Sequence, residues 1–169
     1  MSLKLNDLNR VYVSQLKDMY SAENQLIEAL PKMVKSASNS KLKKAFSDHL
    51  EETKNHVARL DQIFKTMDFS PGGHKCKAME GLIKEGAEII HEDAHEEARD
   101  AALICAAQKV EHYEIATYGT LREFARTLGN TEAYDLLTQT LEEERNADTS
   151  LTDLAESTIN QLALAGADS

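Results

Sequence analysis

Apolar residues recur at alternating intervals of three and four along four separate stretches of the chain, which narrows the possible folds sharply. In the first stretch the seam passes Tyr12, Leu16, Met19, Glu23, Leu26, Leu30 and Met33. In the second it passes Leu42, Phe46, His49, Thr53, His56, Leu60, Ile63 and Met67. The third runs Ala101, Ile104, Gln108, Glu111, Ile115 and Tyr118, and the fourth Ala133, Leu137, Leu141, Glu144, Asp148 and Leu151. Such spacing keeps one side chain per turn on the same side of an α-helix, so each stretch predicts a helix with one face to bury.

The predicted helices span about 5–36, 40–68, 97–128 and 131–163. Only two prolines and seven glycines interrupt the chain. Pro31 falls inside the first helix and predicts a kink or a loosened turn there. Asn39 or Ser40 is placed to cap the second helix; Gly129 ends the third, and Asn130 or Thr131 caps the fourth. "SPGGHK" (70–75) breaks the chain, and a shorter amphipathic helix follows at about 77–92 with Met79, Leu82, Ile83, Ile89 and Ile90. Short links join helices one to two and three to four, whereas 69–96 is long enough to cross the length of a bundle. One long crossover carrying a short fifth helix is the arrangement of ferritin-like four-helix bundles, so the fold class expected is all-α. A single domain over 1–165 with a frayed tail at 166–169 is expected.

The formal charge is −10, with a pI near 5.1 and no basic cluster set against it. Direct binding to nucleic acid is therefore not expected. No signal peptide opens the sequence and no apolar run reaches membrane-spanning length. Cys76 and Cys105 have no CxxC partner and read as reduced thiols, so a soluble cytoplasmic protein is expected.

The seams carry the chemistry. Each long helix gives up one or two seam positions near its own middle to an acid or an imidazole, and the middles of antiparallel helices lie at one level. Glu23, Glu52, Glu111 and Glu144 should converge on one slice of the core, with Glu114 one turn from Glu111. Carboxylates gathered away from water repel one another, and divalent cations relieve that repulsion. Oxygen-rich sites with some imidazole suit iron or manganese better than zinc. His49 and His56 both lie on the seam, one turn either side of Glu52, and either is a candidate nitrogen ligand or a core residue. His112, a quarter-turn from Glu111, reads as packing or as a partner behind a ligand residue. Tyr20, Tyr113 and Tyr118 read as core residues or as donors to ligand carboxylates. Glu142, Glu143 and the acids of 92–100 fall off the seams and are expected to be solvated.

The stretches "YSAENQL" (20–26), "HLEET" (49–53), "CKAMEGLI" (76–83), "RDAALICAAQKVEHYEIATYGTL" (99–121) and "TLEEERNADTSLTDLA" (140–155) resemble the YciF family. These are bacterial stress-associated proteins of the ferritin-like superfamily. The resemblance implies a ferritin-like bundle with an extra helix, a homodimer, and kinship with rubrerythrin-type di-iron proteins. The superfamily pattern is a Glu, a Glu-x-x-His, a second Glu and another Glu-x-x-His, with a further Glu on the third helix in rubrerythrin-type sites. Glu23, Glu52, Glu111 with Glu114, and Glu144 match its acids. Asn55 and Ala147 stand where the two histidines belong. Nitrogen would then come from His49 or His56, and Asp148 is a candidate to complete the fourth helix.

Two functions follow as expectations. One is a di-iron or di-manganese carboxylate protein acting on oxygen or peroxide, with Glu114 as a switching carboxylate and a separate electron donor. The other is a non-catalytic structural or interaction stress protein. Iron storage in a cage is a third reading, which nothing in the sequence favours.

Overall fold

In the computed structural model, residues 4–166 are described, and among them no strand occurs. Four long helices, α1 (Leu8–Ser36), α2 (Ser40–Lys65), α4 (Glu96–Thr127) and α5 (Thr131–Leu154), frame the molecule, with α3 (Lys77–His91) between α2 and α4. The two predicted hairpins are present: α1 packs along α2 and α4 along α5, and further contacts between α1 and α4 and between α2 and α5 close the ring. Helix α1 runs unbroken through Pro31. The fourth helix departs from expectation: α5 gives way at Leu154 to a π-helical turn, Ala155–Ile159, before α6 (Asn160–Ala165). The widened turn accommodates an extra residue and leaves Ile159 buried with Leu103, Ile104 and Leu151. Of the expected frayed tail, only Gly166 lies within the described residues.

Local chemistry sets the helix ends. Asp7 accepts the Arg10 amide (2.8 Å), Asn39 those of Lys41 (2.9 Å) and Leu42 (3.3 Å), and Asn130 that of Ala133 (3.0 Å). Each satisfies an amide that the first turn leaves without a helical partner. Gly129 adopts φ +76° and turns the chain out of α4, a conformation that costs side-chain-bearing residues more.

The crossover is stapled to α1. The Lys17 ammonium donates to the Gly72 carbonyl (3.2 Å), His74 meets Asp18 at 2.7 Å, and Ser21 Oγ accepts the Cys76 amide at 2.9 Å. Helix α3 then lies against α4 and α1, with Met79 fully buried. Both cysteines are free thiols, Cys76 buried and Cys105 exposed. No helix among the described residues is long and apolar enough to cross a membrane.

Asp100 corrects the expectation that every acid of 92–100 is solvated: it is 2% exposed. Its two oxygens accept the Ser38 and Asn39 amides at 2.8 and 2.7 Å. A carboxylate from α4 thus closes the start of α2, where it also faces the positive end of that helix. Through this bond the far end of the crossover is pinned beside the α1–α2 link.

Each charge-assisted bond of this kind contributes about 1.5–3 kcal/mol. We expect Asp100→Ala to destabilise the fold by roughly 3 kcal/mol and Asp100→Asn by less, because the amide keeps one acceptor. Urea unfolding monitored by helical circular dichroism checks this; equal stability of Asp100→Ala and wild type would refute it.

Candidate metal centre

Two apolar clusters divide the interior. One joins Tyr12, Leu16 and Met19 to Leu60, Ile63, Leu121 and Leu137; the other joins Leu42 and Phe46 to Leu103, Ile104 and Leu151. Between them runs a polar layer. Glu23 of α1, His49 and His56 of α2, Glu111 and Glu114 of α4, and Glu144 of α5 are all buried there, none more than 6% exposed. Helical spacing explains why each points inward: these residues occupy, or in the case of Glu114 adjoin, the seams whose other members are Leu, Phe and Met.

The layer resolves into two groups that share one carboxylate. His49, Glu111, Glu114 and Glu144 offer ligand atoms all within 4.8 Å of one another, and so do Glu23, His56 and Glu144. His49 Nε2 lies 3.4 Å from Glu111 Oε1 and 3.9 Å from Glu144 Oε2. His56 Nδ1 lies 3.0 Å from Glu144 Oε1 and 3.4 Å from Glu23 Oε1. Tyr118, fully buried, donates its hydroxyl to Glu23 Oε1. Of the twelve buried side-chain N and O atoms without a hydrogen-bond partner among the described residues, nine belong to Glu23, His49, His56, Glu111, Glu114 and Glu144. Folded proteins rarely bury such atoms unpaired, and here they are concentrated in one layer of facing helices.

Other sequence candidates fall outside the layer. Glu52 lies at its rim with 42% of its side chain exposed, Oε2 being 3.5 Å from His49 Nδ1. The inward position between the two histidines is taken by the neighbouring Thr53, fully buried, which leaves Glu52 offset around the helix toward the edge. Asp148 takes part in neither group: its side chain accepts from Gln108 (3.1 Å) and sits 3.3 Å from His112, itself well exposed. Tyr113 bonds Asp18 (2.6 Å) and Cys76 (3.1 Å), away from the layer.

Glu143 corrects the expectation that it is solvated. It accepts a bidentate pair from Arg59 (2.5 and 2.8 Å) and faces His56 Nε2 at 2.9 Å. Seam spacing on α5 alone could not reveal this, since both partners sit on α2. The available signal was Arg59, three residues beyond His56 and therefore on the same side of its helix.

The electrostatics follow from burial. Burial pushes Glu111, Glu114 and Glu144 above the ordinary carboxyl range; neighbouring carboxylates add to the rise, while imidazoles oppose it at Glu111 and Glu144. For His56, burial acts against the charged form, but Glu23, Glu143 and Glu144 outweigh it and the group is pushed up to about 12. His49 also rises, burial being outweighed chiefly by Glu111 and Glu52. Burial works against ionised Glu143 too, yet His56 and Arg59 hold it down at about 2.

These features define an all-helical protein with a buried carboxylate–imidazole layer spanning its four long helices. The chain belongs to the family described as a domain of unknown function, DUF892, whose sequence profile matches residues 7–164. It is 48% identical to Protein YciF of Escherichia coli over 162 residues, covering 95% of this chain and 98% of that protein. The crystal structure of the E. coli stress protein YciF superposes with a TM-score of 0.89 at 49% identity, over 92% of this chain and 98% of that one. YcfI from Rhodopseudomonas palustris, proposed to be a structural protein, matches with a TM-score of 0.86 at 43% identity, over 90% and 97% of the two chains. A Xanthomonas campestris protein at 21% identity shares the fold, with a TM-score of 0.75 over 92% and 95%.

The metal-free protein should lose stability as pH rises. An acid whose folded pKa exceeds its ordinary 4.5, as for Glu111 and Glu114, opposes folding increasingly as pH climbs from 4.5 toward the folded value. His56 acts in the same direction, because its contribution is complete below 6.5 and fades toward about 12. We expect a lower melting temperature at about pH 9 than at about pH 6 in the presence of a chelator. Thermal melts at the two values check it, and a flat or rising profile would contradict this electrostatic account.

Proposed function

We propose that this chain is a ferritin-like four-helix-bundle stress protein that holds a pair of iron or manganese ions in the buried layer and acts on dioxygen or peroxide. The proposal includes a cytoplasmic homodimer and a separate electron donor. One observation carries it: six buried side chains, which hold nine polar atoms without a hydrogen-bond partner, fall into two groups joined by Glu144.

The donor set fits the group. Four carboxylates and two imidazoles form an oxygen-rich, nitrogen-containing environment of the kind iron and manganese accept, delivered from facing helices as in carboxylate di-metal bundles. Glu144 presents one oxygen toward each group. Glu111 and Glu114 would serve the first with His49, and Glu23 the second with His56. When bound, the metal pair supplies electron exchange with an oxygen species.

The chain's own residues prepare that environment. Glu143, held by Arg59, accepts the Nε2 proton of His56, so a cation bound beside Glu23 and Glu144 would take the place of the Nδ1 proton and leave a neutral imidazole facing it. The tautomer follows from these partners. On His49 the order is reversed: Glu52 lies beside Nδ1, and Nε2 faces Glu111 and Glu144. Tyr118 fixes the orientation of Glu23 and supplies a proton donor in a layer that excludes bulk water. The apolar clusters on both sides strengthen every interaction between them.

The relation to the Rhodopseudomonas protein favours a second reading, in which the layer only sets helix register in a structural protein. Elemental analysis of untagged protein separates the two. We expect near-stoichiometric iron or manganese per chain, lost in the Glu23→Ala/Glu111→Ala double variant. No metal in either, with the variant equally or more stable, would leave the structural reading.

A further inference from the structure

A cavity of about 390 Å³ opens between α2 and α5 and runs inward to α1 and α4. Its walls are apolar: Leu30 and Met33 of α1, Phe46 of α2, Val110 of α4, Leu151 and Leu154 of α5. Where it meets the polar layer it is lined by His49 and Glu111, 6% and 2% exposed. His49 Nδ1 and Nε2 and Glu111 Oε2 have no hydrogen-bond partner among the described residues.

Charges of both signs line the cavity and offset one another. At the rim stand Lys41 and Lys44, and with them Asp48 and Glu52. Lys44 meets Asp48 at 2.5 Å, and Glu52 Oε2 lies 3.5 Å from His49 Nδ1. Two cations and two anions give the rim no net sign. At the inner end an imidazole faces a carboxylate, His49 Nε2 standing 3.4 Å from Glu111 Oε1. A charged occupant would give up its water for walls without a matching excess of charge, a cost that a neutral molecule does not bear.

The space is too large for dioxygen or peroxide alone. At about 30 Å³ for each water, it corresponds to on the order of a dozen water molecules, and an apolar lining gives water few partners. It lies near the lower end of the range of organic-ligand pockets, which combine apolar walls with a few placed polar groups.

We propose that this cavity binds a small uncharged organic molecule with an apolar body and no more than one hydroxyl, and holds it against His49 and Glu111. The walls retain the body by removing its surface from water. Carboxylates and ammonium ions are disfavoured alike, by loss of hydration rather than by repulsion. As a binding site it stands on the walls and the offset charges. As the place where an organic substrate meets the polar layer, it deepens the metal reading above and rests on it.

Titration calorimetry with naphthalen-2-ylmethanol, 2-naphthoate and naphthalen-2-ylmethylammonium tests this, since one rigid body carries three heads. In chelator-treated protein we expect saturable binding of the alcohol, about fivefold tighter than that of either ion. Asp48→Asn leaves the rim with an excess positive charge and should improve 2-naphthoate about threefold, the scale of one exposed charge contact. Lys44→Gln should do the same for the ammonium probe, and neither variant should alter binding of the alcohol. Ala147→Phe and Ser150→Trp, two independent obstructions of the cavity, should abolish alcohol binding while leaving the melting curve intact. The alcohol titration is repeated on iron-loaded protein of measured metal content. Alcohol binding by protein that loads no metal would sustain the pocket and remove only the metal reading. Metal loading without saturable alcohol binding would overturn the pocket and leave the metal reading in place. An ion bound as tightly as the alcohol, or binding that survives both obstructions, would overturn the proposal as well.

Discussion

Glu144 lies between two imidazoles, 3.0 Å from one and 3.9 Å from the other, with no water-accessible surface of its own. Much of the architecture follows from accommodating that carboxylate. Three further buried acids surround it, and two histidines cannot neutralise four carboxylates. A layer of this kind is tolerable only where helices hold every group in place and where protons or cations complete the charge. The two apolar clusters on either side supply the rigidity. Arg59 and Glu143 extend the compensation outward to the surface through His56.

The same constraint explains the division of labour along α2. An acid facing inward at Glu52 would have added a fifth carboxylate to the layer. Imidazoles at His49 and His56 instead bring nitrogen, and they carry the positive charge that the acids of α1, α4 and α5 induce. Thr53, between them on the seam, is fully buried and returns its hydroxyl to the His49 carbonyl at 2.8 Å, so it asks nothing further of its neighbours. On α2, imidazoles thus stand one turn either side of Glu52, and Asn55 occupies the position where a Glu-x-x-His pattern would place one.

The long helices and the crossover could be read from apolar spacing because burial of a helix face is a repeating demand that composition alone can meet. Glu23, His49, His56, Glu111 and Glu144 were readable for the related reason that a polar residue on such a face is conspicuous. Glu143 and Asp100 were not. Each is off its own seam, and its role is set by a partner on another helix: Arg59 in one case, the amides of Ser38 and Asn39 in the other. Glu52 and Asp148 show the opposite failure. A displacement of one residue, about 100° around a helix, separates the layer from its rim, and spacing cannot resolve which neighbour turns inward. The π-helical turn after Leu154 was equally hidden, since it arises from fitting Ile159 into the core.

The helical hairpins distribute the layer unevenly in sequence. The α1–α2 unit holds Glu23, His49 and His56, and the α4–α5 unit holds Glu111, Glu114 and Glu144. Each hairpin closes through contacts near in sequence, which form quickly. Neither contains both groups, and the thirty-residue connection from Thr66 to His95 must be traversed before they meet. The two sets of charges therefore confront one another only across the face where the hairpins meet. The buried layer is therefore complete only when segments from opposite ends of the polypeptide stand side by side.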